Sequence, residues 1–168
     1  MTIVRRSGWR LLALVFASAA SAVGCGTTLV ADAVTRQGDG WSFSLERLRD
    51  GPNSFAVTGN TILEARSGQR LVWAYFKIRN DAESERVLGY DACDLNLGAD
   101  RILPAVVTRY NGVASVLEKN EAYPPHDVNY RILIFSYPEG PLPSRLKCAQ
   151  MTFDIPSNVE KASTGISR

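Results

Sequence analysis

Few side chains in this sequence are equipped for chemistry, and their spacing narrows what that chemistry would be. The single histidine, His126, stands in the run Tyr123-Pro124-Pro125-His126-Asp127. Acid/base or nucleophilic catalysis would need a carboxylate to orient it and a nucleophile within reach. A zinc site would need further His, Cys or carboxylate ligands. The flanking residues spell out neither set, so His126 reads as a loop histidine. Asp91, Asp94, Asn96 and Asp100 are dense in hard oxygen donors, but the Asp-x-Asp-x-Asp-Gly order of a calcium loop is missing, and the segment reads as strand and turn. Two methionines and one histidine are too few soft ligands for copper. No Gly-rich phosphate loop appears. The expectation is a chain with no catalytic residue, no metal and no cofactor.

Cysteine is the informative residue type. There are three, Cys25, Cys93 and Cys148, and the first follows a distinctive N-terminus. Residues 1–10 contain Arg5, Arg6 and Arg10 and no acid, and residues 11–23 (LLALVFASAASAV) carry no charge and fade from large aliphatics into Ala and Ser. That is the anatomy of a secretory signal peptide. Gly8 stands where a twin-arginine signal wants a hydrophobic residue, which favours the general secretory route. Two cleavage patterns compete, Ala20-Ser21-Ala22 for ordinary processing and Ala22-Val23-Gly24-Cys25. The second resembles the bacterial lipobox, with Ala22 where that pattern most often has Leu. The resemblance implies that residues 1–24 are removed and that the Cys25 thiol carries a diacylglyceryl group, with fatty acylation making the anchor firm. It also implies that Gly26, standing where Asp would retain the protein at the inner membrane, allows transfer to the outer one. Ordinary cleavage after Ala22, and retention of the uncharged stretch 11–31 as an uncleaved anchor, are the alternatives.

An exported chain lives in an oxidising compartment, and with Cys25 assigned to lipid the remaining Cys93 and Cys148 form a natural disulfide pair. Two buried free thiols are the alternative. A redox pair is disfavoured because no Cys-x-x-Cys or basic cluster lowers a thiol pKa.

Charge and size exclude other classes. The full chain of 168 residues has 19 Lys and Arg against 17 Asp and Glu. Without the three leader arginines, 16 bases face those 17 acids, so no basic stripe is left to neutralise phosphates and nucleic acid is not an expected partner. With 45% hydrophobic and 21% charged residues, the chain supports one globular domain with a core. The expected partners are a membrane, through the lipid, and another envelope protein.

The elements that would position these residues are strands. Residues 25–40 have the small and polar composition of a linker. Trp41, Phe43 and Leu45 alternate with Ser42, Ser44 and Glu46, the period of a half-buried strand. Weaker strands cover 54–57 and 61–65. Residues 70–80 (RLVWAYFKIRN) are apolar on both faces, which predicts a central strand, with Trp73 and Tyr75 packed rather than presented. Two short strands lie within 86–97. A turn at 98–100 precedes a strand over 101–107, in which Pro104 predicts an edge or a bulge. Residues 113–122 are a candidate short helix. Residues 129–137 (NYRILIFSY) make a second long strand, residues 138–143 break the chain, and 145–155 close the domain. Residues 157–168 read as a disordered tail. Seven or eight short strands with regular turn signals predict an all-β sandwich over 41–156.

The order of these features resembles the immunoglobulin-like domain of small bacterial lipoproteins, a family of unknown function. The resemblance rests on the apolar strand 72–78 ending in Arg79-Asn80 and an acidic turn, Asp94-Leu95-Asn96-Leu97 with the turn at 98–100, and an Asn120-Glu121 loop before the strand at Asn129. Trp73 precedes both cysteines, unlike the tryptophan of antibody domains. The resemblance implies an envelope location and no reaction. Tyr123, Pro125, His126 and Tyr137, in proline-rich loops, are the candidate partner-binding residues. A binder of a small molecule, metal or glycan, accessory to transport or sensing, is the alternative.

Overall fold

The computed structural model describes residues 2–5, 27–57, 61–109, 119–140 and 142–156, and their regular structure is β apart from one 3-10 turn at Tyr90–Ala92. The strands in chain order are β1 (Thr2–Arg5), β2 (Thr27–Val30), β3 (Val34–Gly38), β4 (Trp41–Asp50), β5 (Ser54–Val57), β6 (Thr61–Glu64), β7 (Gln69–Asn80) and β8 (Arg86–Gly89). They continue as β9 (Cys93–Leu97), β10 (Asp100–Ile102), β11 (Val106–Arg109), β12 (Asn120–Tyr123), β13 (Val128–Pro138), β14 (Arg145–Cys148) and β15 (Met151–Asp154). The largest sheet has the order β11-β13-β7-β4-β2, with β3 also paired to β4. A four-stranded sheet, β10-β9-β14-β15, packs on it, and β1-β6-β5 and β12-β8 are smaller sheets. Every pairing is antiparallel.

Period-two patterning in the two long strands explains the sandwich. β7 and β13 pair along their whole length, from Val128 opposite Arg79 to Pro138 opposite Gln69. One face of this ribbon presents Val72, Ala74, Phe76, Ile78, Leu133 and Phe135, all at or near zero exposure. It joins Phe43 and Leu45 of β4 and meets Leu95, Leu146 and Phe153 of the second sheet in one core. The rings of Phe76 and Phe153 span the sheets at 5.5 Å in a T-shaped contact. Burying each such side chain stabilises the fold by about 1.5–3 kcal/mol. The opposite face carries Leu71, Trp73, Val106 and Ile134. The β5–β6 hairpin covers it, with Phe55 against Trp73 at 5.1 Å and the Trp73 Nε1–H donating to the Pro52 carbonyl at 2.8 Å. A strand covered on both sides has to be apolar on both sides, as residues 71–76 are.

Cys93 and Cys148 face each other on neighbouring strands and form a disulfide that closes 55 residues of chain. On the chain-entropy account, a loop of that length contributes about 4 kcal/mol.

Four sequence expectations change. The linker expected over 25–40 is largely strand, because Asp39 and Gly40 both take positive φ, 47° and 69°. That is the two-residue hairpin geometry whose twist matches paired strands. It folds β3 onto β4 from Gly38 opposite Trp41 to Val34 opposite Leu45, and β2 buries Leu29 and Val30. The sandwich therefore starts at Thr27 rather than residue 41. The strand expected over 101–107 is two strands in different sheets. Pro104 lacks an N–H for either ladder, so the chain leaves β9 after Ile102 and joins β13 at Val106. The described end of the candidate helix over 113–122, residues 120–122, lies in β12. The strand number exceeds the seven or eight expected because residues 2–5 and 27–38 add three strands, residues 120–123 add one, and the segments 101–107 and 145–155 are each divided in two.

Residues 6–26, including the cleavage motifs and Cys25, and the tail at 157–168 lie outside the described residues. Thr2–Arg5, which the sequence reading assigns to the leader, pairs with β6. Among the described residues, no helix is long and apolar enough to cross a membrane.

Candidate functional site

The long strands define two ends of the sandwich. At one end, Trp41, Asn80 and Val128 are adjacent across β4, β7 and β13. His126 belongs to this end. The Asp127 N–H donates to the Pro124 carbonyl at 3.2 Å, and His126 has φ of 60°. Pro125 and His126 thus occupy the central positions of a β-turn in the manner of type II, proline first and positive φ second. The His126 Nε2 lies 3.2 Å from a Glu83 carboxylate oxygen, with both side chains largely exposed. His126 supplies the positive-φ position of this turn.

Asn80 holds this end together. It is fully buried, and its amide donates to the carbonyls of Ser84, Tyr123 and Pro124 at 2.8, 2.9 and 3.1 Å. Its Oδ1 accepts from the Ala82 N–H at 3.0 Å. One side chain therefore satisfies backbone groups of two loops that lack a strand partner.

Beneath it lies the most concentrated polar cluster in the core. β13 alternates, so Arg131 points to the same side as Leu133 and Phe135 and is only 5% exposed. Its Nε donates to Glu121 Oε2 at 2.8 Å and its Nη2 to Glu121 Oε1, a two-pronged match of guanidinium to carboxylate. The Tyr90 hydroxyl donates to the same carboxylate and lies 2.9 Å from the Tyr123 hydroxyl. Burial pushes the Glu121 carboxyl up, but hydrogen bonds from Arg131 and Tyr90 outweigh it and hold the group below its ordinary value. Burial raises both tyrosines, so they keep their protons. The cluster is an ionised carboxylate saturated with donors, with no proton to exchange near neutrality. It clamps β12 and the 3-10 turn to β13.

At the other end, Asp50 closes β4 with 3% exposure and pairs with Arg70 Nη2 at 2.6 Å. Its second oxygen has no hydrogen-bond partner, and neither does the Tyr137 hydroxyl beside it. The two face one another without closing a bond of normal geometry. Burial raises the Asp50 carboxyl, and Arg70, itself 38% exposed, together with the facing Tyr137 hydroxyl offsets this only in part. Burial next to Asp50 also pushes the Tyr137 phenol up, to about 12.

These positions correct part of the partner-loop expectation. Tyr123 and Tyr137 are 0% and 1% exposed and face the core, because each ends a strand on its inward-pointing register. Trp41 meets Tyr123 at 5.3 Å, edge to face. Pro125 and His126 are exposed. Cys93 and Cys148 are together in the disulfide. Asp94 is taken up by Arg101 at 2.7 Å. Sequence reasoning passed over Arg131, Glu121, Tyr90, Asn80 and Asp50. Arg131 did carry a signal, being a charge in the inward-facing row of an otherwise apolar strand.

A cavity of about 200 Å³ opens beside the cluster, lined by Tyr90, Asp91, Leu103, Pro104, Val106 and Lys119 among others. No protein-family model, no curated protein and no solved structure matches this chain. The class that fold and site define is an all-β, disulfide-linked sandwich with a salt-bridged polar cluster at one end.

Proposed function

We propose that the chain is a bacterial lipoprotein, anchored through Cys25 in the cell envelope and by preference in the outer membrane. Its immunoglobulin-like sandwich serves there as a non-catalytic interaction or structural module. The observation that carries this reading is the use made of cysteine. Cys93 and Cys148 are consumed by a buried disulfide, which suits an oxidising compartment and leaves Cys25, at the end of the leader, as the third thiol. The buried ionisable groups support the non-catalytic half, since Glu121 and Arg131 spend their hydrogen-bonding capacity on each other and on Tyr90. Removal of the leader takes away β1 and leaves the Phe55–Trp73 contact in place.

The test is the intact mass of the protein from a membrane fraction, beside a Cys25→Ala variant. A lipid adduct on Cys25, and loss of membrane association in the variant, are expected. An unmodified chain beginning at Val23 in the soluble fraction would overturn the anchor. A second reading, a binder of a small molecule, metal or glycan, has the cavity beside Tyr90 in its favour. It would lead if the soluble form were found.

A further inference from the structure

A single residue, Gly26, separates Cys25 from Thr27, where β2 begins. Two residues reach at most about 7 Å. Thr27 is itself fixed, since its backbone is paired with Asp50. Releasing β2 to lengthen the connection would uncover Leu29 and Val30, which are 4% and 9% exposed. The reach from a lipid on Cys25 to the folded domain is therefore about the thickness of a headgroup layer, and it leads to one particular end of the sandwich. The other end lies about 30 Å away along the ten residues of β4.

The two ends also differ in charge. Around Asp50, the cations Arg49, Arg66 and Arg70 balance Asp50, Glu64 and Glu139. Around His126, the acids Asp39, Asp81, Glu83, Glu85 and Asp127 outnumber Arg79 and Arg86. An anionic bilayer repels the second end whenever tipping brings it within about 10 Å of the surface, and leaves the first end unopposed. Tether length and charge select the same orientation.

We infer that the Asp50 end is a membrane-facing surface, held end-on against phospholipid headgroups, with the His126 end projected away from the bilayer. The inference rests on the proposed lipidation of Cys25. It makes the exposed Pro125–His126 turn the part presented to a partner, and it makes the domain a fixed spacer rather than a body on a loose tether.

Two tryptophans supply the probes, because Trp9 leaves with the leader. Trp73 lies opposite Arg49, near the Asp50 end, and Trp41 opens β4 at the other end. Acylated protein, its mass verified, is reconstituted into phosphatidylethanolamine and phosphatidylglycerol vesicles containing a dansyl-headgroup lipid. Energy transfer from the Trp41→Phe variant, which keeps Trp73, should exceed that from the Trp73→Phe variant several-fold. Hydrogen exchange of the unsubstituted protein repeats the test should either variant fail to fold. Amides of Gly51, Asn53 and residues 66–69 should slow on vesicles relative to detergent, and those of residues 82–85 and of His126 and Asp127 should not. Equal or reversed transfer, or protection at both ends, would overturn the orientation while the lipid stands. A Cys25 without lipid would overturn both readings.

Discussion

Glu121, half-buried, and Asp50, buried, are carboxylates at opposite ends of one sandwich, and their surroundings drive them in opposite directions. Both lose water, which raises a carboxyl pKa. Glu121 receives a guanidinium fork from Arg131 and a phenolic hydrogen bond from Tyr90, and falls below its ordinary value. Asp50 receives one partly exposed guanidinium on one oxygen, while the Tyr137 hydroxyl beside the other forms no bond of normal geometry, and burial outweighs both so that the group rises. Depth does not separate them, since Asp50 is the less exposed of the two. The number and alignment of donors decide the sign.

The harshest way to break this contrast is Arg131→Met, which strands the Glu121 carboxylate in the core. Loss of about 3–5 kcal/mol is expected in urea unfolding, the range for a buried pair deprived of one partner. A double variant that also replaces Glu121 with Met should recover much of it. Tyr90→Phe removes one hydrogen bond to a charged acceptor and should cost about 1.5–3 kcal/mol. At the other end, Asp50→Asn should change stability by no more than about 1 kcal/mol at neutral pH, because its pair with Arg70 is partly solvated. Tyr137→Phe should lie within about 0.5 kcal/mol of the parent or be slightly stabilising, since the hydroxyl it deletes faces Asp50 without a hydrogen bond of normal geometry.

Acid titration sharpens the same comparison. Glu121 has its pKa lowered in the fold, so its stabilisation is present above the ordinary value of 4.5 and is lost as pH falls through the lower folded value. Asp50 has its pKa raised, so the folded chain holds that proton more tightly. Its cost is complete above the raised folded value and is relieved as pH falls from there towards the ordinary 3.8. Urea midpoints followed from neutral to acidic pH should show the advantage of the parent over Glu121→Gln shrinking. Its standing relative to Asp50→Asn should improve over the same range.

Much of the fold was legible in local pattern. The alternation of Trp41, Phe43 and Leu45, the doubly apolar run 70–80 and the run 129–137 became β4, β7 and β13, because period-two burial is a property of the strand itself. Asp39-Gly40 is as strong a hairpin signal as short sequences offer, yet the small polar residues before it read as linker, since β3 is exposed along most of its length and its composition shows no core-facing row. Arg131 is a charge in an otherwise apolar inward row that was passed over, because its meaning depended on Glu121, ten residues away along the chain and on another strand.

The order of the residues alone determined the β class, the odd number of cysteines with one ahead of the domain, and a near-balanced charge, because each of these is a matter of local composition or spacing. Tertiary structure decided the rest. It turned residues 27–38 from tether into sheet edge, sent the two halves of 101–107 to different sheets, buried Tyr123 and Tyr137, and gave two similar carboxylates opposite behaviour. Those outcomes depend on which groups distant in sequence come within hydrogen-bonding distance, and pairing across strands, rather than any stretch of sequence, sets that distance.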